Sequence, residues 1–330
     1  MKTEPVPAGH PAPARAPLIV QLAQHEPAAI RDELQRGLLA PAARVAPKFL
    51  YDALGSRLFE AICELPEYYP TRTEAAIFAQ ASADIAQAVG PIGTLVDLGA
   101  GNCAKAARLF PVLAPDRYLA IDISVDFLRD ALAALQLAHP TLEIAGLGLD
   151  FSKALALPAD AISGRPVFFY PGSSLGNFHP DEALRFLRDV REHAGGGGLL
   201  IGIDLVKPAA TLEPAYDDAL GVTAAFNLNL LRHLNRLLGA DFEPREWRHV
   251  ARFDPTASRI EMYLEARHAL RIAWPGGERR FAGGERIHTE NSYKYEPHAF
   301  RAMVADAGFR SARHWVDERG WFAVFWADAA

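Results

Sequence analysis

The 330-residue chain is poor in cysteine: it has two, Cys63 and Cys103, in unrelated contexts. Two isolated thiols exclude a disulfide framework and point to a reducing compartment. Positive charge is not in excess either. The formal net charge is −6, so the basic footprint of a nucleic-acid binder is missing and no such partner is expected. Long apolar runs are lacking too. The stretch "GLLIGIDLV" has the length of a strand and falls far short of the ~20 residues of a membrane span. Residues 1–17 are rich in Pro and Ala and lack the apolar core of a signal peptide, so they read as a disordered tail. The histidines form no H-x-x-x-H or similar pair, and neither cysteine has metal-ligand spacing, so no metal is expected. His288-Thr289-Glu290 matches the H-x-E half of a zinc deaminase signature, but the P-C-x-x-C half is missing. These exclusions leave a cytoplasmic protein, expected to be a monomer, that acts on a small molecule.

What is present is alternation. "TLVDLGAG", "RYLAIDIS", "LEIAGLGLDF", "RPVFFYPG" and "GGGGLLIGIDLV" read as strands. "NCAKAARLFPVL", "VDFLRDALAALQLAHP" and "PDEALRFLRDVREHA" read as helices between them. Buried-type strands alternating with helices predict an α/β fold with a parallel, doubly wound sheet. Upstream, residues 24–39, 56–66 and 71–90 have helical periodicity. The last of these has Thr71 as its cap and Gly90 as its stop, and follows a proline-bracketed aromatic loop, "PEYYPT". After Lys207 come one or two helices in "TLEPAYDDALGVTAAFNLNLLRHLNRLLG" and a hairpin turning at "DPTAS". The end returns to a helix, "PHAFRAMVADAG", and two strands that can edge the sheet as an antiparallel pair. The simplest division is a nucleotide-binding domain of residues 85–205 and 291–330, with a second lobe from 18–84 and 206–290.

"VDLGAGNCAK" follows a strand and opens a helix. Gly99 and Gly101 let the backbone turn tightly and approach a ligand, and Ala104 stands where a third glycine can be. Asp122 ends the next strand about 20 residues on, where a carboxylate can accept both ribose hydroxyls. NAD and S-adenosylmethionine sites share these features. Asp97 just before the glycines and Asp150-Phe151 after the third strand favour the methyl donor: a carboxylate for the adenine amine and a ring against the base. Asp150 can instead cap the turn that follows it.

"YPGSSLGNF" contains G-x-S-x-G, which is also the nucleophile elbow of hydrolases. An elbow needs its helix to begin directly after the serine. Pro180 belongs in a first helical turn, so the helix starts near residue 180 and Ser174 is expected to hydrogen-bond its own loop. "TENSYKY" (289–295) reads as a half-exposed strand with Glu290, Ser292 and Lys294 on one side.

"PKFLYDALGSRLFEAICELPEYYPTRTEAAIF", "LVDLGAGNCAK", "PGSSLGNF", the long "LVKPAATLEPAYDDALGVTAAFNLNLLRHLNRLLGADF", "SRIEMYLEAR" and "TENSYKY" together resemble the L-histidine Nα-methyltransferases of ergothioneine biosynthesis, over about residues 45–328. The resemblance implies a class I, Rossmann-like methyltransferase domain plus a mixed α/β substrate-binding lobe. It also implies conversion of histidine to its Nα-trimethyl form, hercynine, with S-adenosylmethionine as co-substrate. Tyr51, Gly99, Lys105, Asp122, Asp150 and Phe151 would hold the donor, with Lys105 on its carboxylate. Tyr68, Gly172, Asn177, Tyr216, Met262, Glu290 and Ser292 would hold the amino acid. Among these, Asn177 and Tyr216 would grip its α-amino and carboxylate groups, and Glu290 and Ser292 would read the imidazole. Tyr68 is a candidate proton acceptor. Two departures stand out: "PGSSLGN" replaces a form with Thr-Ile, and Asn291 replaces an aliphatic residue.

Overall fold

A computed structural model describes residues 15–22, 27–152 and 154–329. Residues 1–14 of the expected tail and residues 24–26 of the first predicted helix lie outside the described residues. The described chain opens with strand β1 (Leu18–Gln21), helix α1 (Pro27–Leu39) and the short strand β2 (Ala43–Arg44). A 3-10 turn, Pro47–Leu50, leads into α2 (Ala53–Cys63), which Asp52 caps by accepting from the Gly55 N–H at 2.8 Å. Helix α3 (Tyr69–Val89) starts two residues before Thr71. Pro70 sits in the first turn, where its missing N–H costs no hydrogen bond, so Tyr68 and not Thr71 takes the cap position.

The five predicted strands are β3 (Thr94–Leu98), β4 (Arg117–Asp122), β5 (Glu143–Gly148), β6 (Pro166–Tyr170) and β7 (Gly198–Asp204). The helix expected after β3 is two short ones, α4 (Ala104–Ala107) and α5 (Phe110–Leu113). Pro111 cannot donate a helical hydrogen bond and fits in the first turn of the second piece. Helices α6 (Val125–Ala138) and α7 (Pro180–His193) fill the later crossovers, the latter beginning at the predicted proline. Then come α8 (Ala209–Leu212), α9 (Val222–Leu238), the hairpins β8 (Trp247–Asp254)/β9 (Arg259–Ala266) and β10 (Leu270–Trp274)/β11 (Gly277–Phe281), and β12 (Arg286–Tyr293). Helix α10 (Pro297–Asp306), β13 (Ser311–Val316) and β14 (Phe322–Asp328) end the chain.

Eight strands form one sheet in the order β1-β5-β4-β3-β6-β7-β14-β13, parallel except for β14, which runs antiparallel to both its neighbours. This is the doubly wound sheet that the alternation predicts, with its antiparallel edge pair. Strands β3, β6 and β7 are buried at every position because helices cover both faces. A second sheet, β2-β12-β9-β8, carries the lobe. Its core is built around Trp247, packed between the rings of Phe242 and Phe281 at 5.8 and 5.0 Å. The parts interleave more than chain order suggests: β1 is hydrogen-bonded into the large sheet beside β5, while residues 291–293 pair with β9 in the small one. The two sheets join where the Tyr295 N–H donates to the Asp204 carbonyl at 3.0 Å and the Val206 N–H to the Tyr295 carbonyl at 3.2 Å. Among the described residues no helix is long and apolar enough to cross a membrane.

Candidate active site

The carboxyl ends of β3 to β7 converge on one crevice, where the strand order reverses between β3 and β6. A cavity of about 1420 Å³ lies there, and Tyr51, Tyr68, Gly99, Lys105, Asp122, Asp150, Phe151, Gly172 and Asn177 all line it. Tyr216, Met262, Glu290 and Ser292 do not reach its wall; they form a buried layer joined to it through Tyr68.

The half of the cavity under β3, β4 and β5 is built for a nucleoside. Gly99 and Gly101 have φ of 69° and 53°, and a Cβ on Gly101 would meet no heavy atom within 4 Å, so the loop backbone stands open to a ligand. Asp122 accepts from the Gly101 and Ser124 N–H groups, each at 2.9 Å, which fixes its carboxylate at the mouth of the loop. Asp97 accepts from the Tyr118 hydroxyl at 2.7 Å, but its other oxygen is buried without a partner. Burial pushes this carboxyl up to about 7. An open glycine cradle, a fixed carboxylate and an unsatisfied one suit a nucleoside with a cationic amino-acid tail. Asp150 makes the expected turn bond, one oxygen accepting from the Ser152 N–H at 3.3 Å, while its other oxygen pairs with Lys48 at 2.9 Å. Lys48 also reaches Glu33 at 2.9 Å, and sequence reasoning missed it because "PKFLY" carries no local signal. Asp122→Ala is expected to cost roughly 1.5–3 kcal/mol, or about 10- to 100-fold, in donor affinity. Unchanged binding of S-adenosylhomocysteine by calorimetry would remove Asp122 from the site.

The half under β6 and β7 is a glycine loop. Gly172 and Ser173 have φ of 77° and 61°, and a 3-10 turn, Ser174–Asn177, precedes α7. Ser174 donates to the Pro171 carbonyl at 3.2 Å, inside its own loop, and among the described residues no histidine is bonded to it. With α7 starting at Pro180, the hydrolase elbow is excluded. Asn177 faces the cavity with no hydrogen bond among the described residues. The loop lies flat against β12: a Cβ on Gly176 would stand 2.8 Å from the Tyr293 carbonyl oxygen.

Glu74 was not picked out from sequence and holds both halves together. Its side chain is 2 % exposed; one oxygen accepts from the Gly172 N–H at 2.7 Å, and the other pairs with Lys105 at 2.8 Å. A signal existed. Pro70, Glu74, Ile77 and Ile85 are all buried on α3, so the glutamate occupies a place in an apolar stripe.

The buried layer changes the reading of "TENSYKY". Residues 289–294 are buried on both faces, because the glycine loop covers one side of the strand and the lobe the other, so the half-exposed strand is overturned. Tyr216 and Ser292 lie with their oxygens 2.7 Å apart, and the Tyr216 ring meets that of Tyr68 edge-on at 6.2 Å. Further rings continue the wall: Phe59 lies 6.1 Å from Tyr68 and 5.5 Å from Tyr51. Burial raises the pKa of the Tyr51, Tyr68 and Tyr216 phenols, which therefore stay neutral. Glu290 stands opposite Met262 in the sheet, and its Oε2 is buried without a partner. Burial pushes its carboxyl up to about 8, with Lys294 pulling the other way.

That shift has a consequence for stability. The folded chain keeps the Glu290 proton up to about pH 8, whereas the unfolded chain loses it near the ordinary 4.5. Folded protein therefore binds more protons in that window, and the contribution of Glu290 to stability falls as pH rises through it. The groups facing it, cationic Lys294 and neutral Tyr51 and Tyr68, do not reverse this. Glu290→Gln is expected to gain stability over wild type between pH 5 and pH 8, by on the order of a few kcal/mol. Denaturant unfolding at both pH values checks it; an equal difference at the two would refute it.

The family described as "Histidine-specific methyltransferase, SAM-dependent" matches residues 30–329. The histidine N-alpha-methyltransferase of Mycolicibacterium smegmatis is 41% identical over 303 residues, covering 90% of this chain and 94% of the relative. The protein of the same name from Mycobacterium tuberculosis is 39% identical over 307 residues, covering 90% and 94%. Ergothioneine biosynthesis protein 1 of Neurospora crassa is 29% identical over 282 residues, covering 81% of this chain and 31% of that longer protein. A match of this extent, on a doubly wound sheet whose crevice presents a nucleoside cradle, has one meaning: the chain belongs to the SAM-dependent, histidine-specific methyltransferase family.

Proposed function

We propose that this chain trimethylates the α-amino group of L-histidine to hercynine, the first step of ergothioneine biosynthesis, as a cytoplasmic monomer without a metal. The observation that carries the substrate reading is the buried, unpartnered Glu290 carboxyl beside the Tyr216–Ser292 hydroxyl pair. A neutral imidazole has one N–H and one acceptor nitrogen, and a carboxyl with a hydroxyl pair can satisfy both. The large sheet binds the donor and the lobe selects the acceptor, with Gly172, Asn177 and Tyr68 where the two meet.

S-adenosylmethionine supplies a methyl group activated on a sulfonium. Gly99, Gly101, Asp122, Asp150 and Phe151 hold its nucleoside and Lys105 its carboxylate. The remaining work is positioning: an amine lone pair must be held in line with the breaking bond at about 3 Å. Asn177 and Tyr68 orient the amine, while Tyr216, which the resemblance puts on the amino and carboxylate groups, is assigned to the ring because its hydroxyl is bonded to Ser292. An α-amino group titrates near pH 8, so neutral amine is available without a strong base. Tyr68, as a neutral phenol, orients and does not take the proton. The rings of Tyr51, Phe59 and Tyr68, all on the cavity wall, shelter the growing methylammonium by cation–π attraction.

Mass spectrometry of each of the twenty amino acids with enzyme and donor tests the proposal. Histidine should gain one, two and three methyl groups in succession; another amino acid methylated in its place would replace the substrate. Asn177→Ala is expected to weaken histidine binding and spare the donor, while Ser174→Ala keeps most activity. Loss of turnover in Ser174→Ala, with an acyl adduct on the wild type, would bring back the hydrolase.

A further inference from the structure

Behind the hydroxyl pair lies a charge cluster that no step above uses. Asp204 ends β7 and is fully buried, and Lys207 pairs with its Oδ1 at 2.5 Å. The Tyr69 hydroxyl donates to its Oδ2 at 2.6 Å. Lys294 reaches the same Oδ2 at 2.8 Å. The backbone bonds between Asp204 and Tyr295 carry Lys294 to this place, where its side chain is 0 % exposed. The Lys294 ammonium also donates to the Tyr216 hydroxyl at 2.9 Å and to Ser292 Oγ at 2.7 Å.

The protons can be counted. An ammonium has three, and all three of Lys294 are used, on Asp204, Tyr216 and Ser292. The two hydroxyls bring one proton each, and the 2.7 Å bond between them consumes one. One proton remains, on the oxygen that accepts in that bond; of the four lone pairs two take ammonium protons and one the hydroxyl proton, so the single lone pair left lies directly against the buried cation. A buried cation next to the pair also repels a positive ligand atom. We infer that Lys294 is a positioning and specificity residue that fixes the Tyr216–Ser292 pair as a single hydrogen-bond donor toward the acceptor substrate. The pair thus selects an atom with a free lone pair, such as the unprotonated nitrogen of a neutral imidazole, and leaves the ring N–H to Glu290. Removing Lys294 leaves two hydroxyls free to rotate, each able to donate or accept, so the polarity of the site is lost.

The inference rests on the histidine reading and is tested with the intact chain. Lys294→Met keeps the length of the side chain and removes its donors, and Asp204 keeps Lys207 and Tyr69. Histidine binding to the complex with S-adenosylhomocysteine, measured by calorimetry, is expected to weaken roughly 10- to 100-fold with S-adenosylhomocysteine affinity unchanged. Ser292→Ala is expected to cost about 10-fold alone and little more in the Lys294→Met background, because both act through one group. Wild-type histidine affinity in folded Lys294→Met, or fully independent losses in the double variant, overturns the inference. Should Lys294→Met not fold, 15N-lysine-labelled wild type gives the answer: the Lys294 ammonium resonance should move on adding histidine, and a resonance unmoved at saturation overturns the inference as well. Wild type that binds no histidine is a separate failure, that of the substrate reading itself, and the inference falls with it.

Discussion

Glu290→Ala is expected to lower kcat/KM for histidine by roughly 2–4 kcal/mol, about 30- to 1,000-fold. It is also expected to narrow the preference for histidine over phenylalanine and tryptophan. Both effects have one cause. Glu290 is buried with an oxygen lacking any partner, so an apolar side chain placed against it leaves that oxygen unsatisfied, whereas a ring N–H completes it. Alanine removes the reward for histidine and the penalty for its competitors together. Tyr51 and Tyr68 remain in place as an apolar wall, so the variant still accepts aromatic side chains. The measurement is kcat/KM for the three amino acids on wild type and variant. An unchanged ratio would show that the imidazole is read elsewhere.

Glu74→Ala is expected to destabilise the fold by about 2–3 kcal/mol and to impair both halves of the site at once. Two half-buried partners lose their acceptor: the Gly172 N–H at 2.7 Å and the Lys105 ammonium at 2.8 Å. The lysine side chain is 35 % exposed and Gly172 lines the cavity, so water recovers part of both losses. Freed of the glutamate, Lys105 and the glycine loop no longer share a fixed point, and KM should rise for donor and amino acid alike. A neighbouring glycine supports this geometry. A Cβ on Gly202 would stand 2.1 Å from Glu74 Oε1, so Gly202→Ala is expected to displace the carboxylate and reproduce the defect without changing charge. Thermal unfolding and the two KM values check it. A Glu74→Ala protein with wild-type stability and raised KM for one substrate alone would refute the shared role.

Much that depended on local pattern was legible in the amino-acid sequence, though Thr71 does not cap its helix and the helix after β3 is split at Pro111. Alternating buried strands and helices determined the doubly wound sheet, since a parallel sheet needs crossover helices and apolar strands. Gly99 and Gly101 marked the nucleoside loop because only an uncrowded backbone turns there. Pro180 set the start of α7 and thereby separated Ser174 from a nucleophile elbow. The long motifs shared with the histidine methyltransferases pointed to the family. What the sequence by itself could not decide was whether a polar side chain faces water or protein, or what meets it. Alternation in "TENSYKY" told which residues share a side, but the second covering face comes from Gly176, more than a hundred residues earlier in the chain. Glu74 and Gly172 are 98 positions apart, and Lys48 and Asp150 are 102 apart. Lys294 meets Asp204 because two separate sheets are hydrogen-bonded at Leu205 and Tyr295. Buried charges of this kind are held by partners and not by periodicity, so folding alone reveals them: outside the assembled crevice each is an ordinary polar residue in water, and within it each must be paired or poised for a ligand.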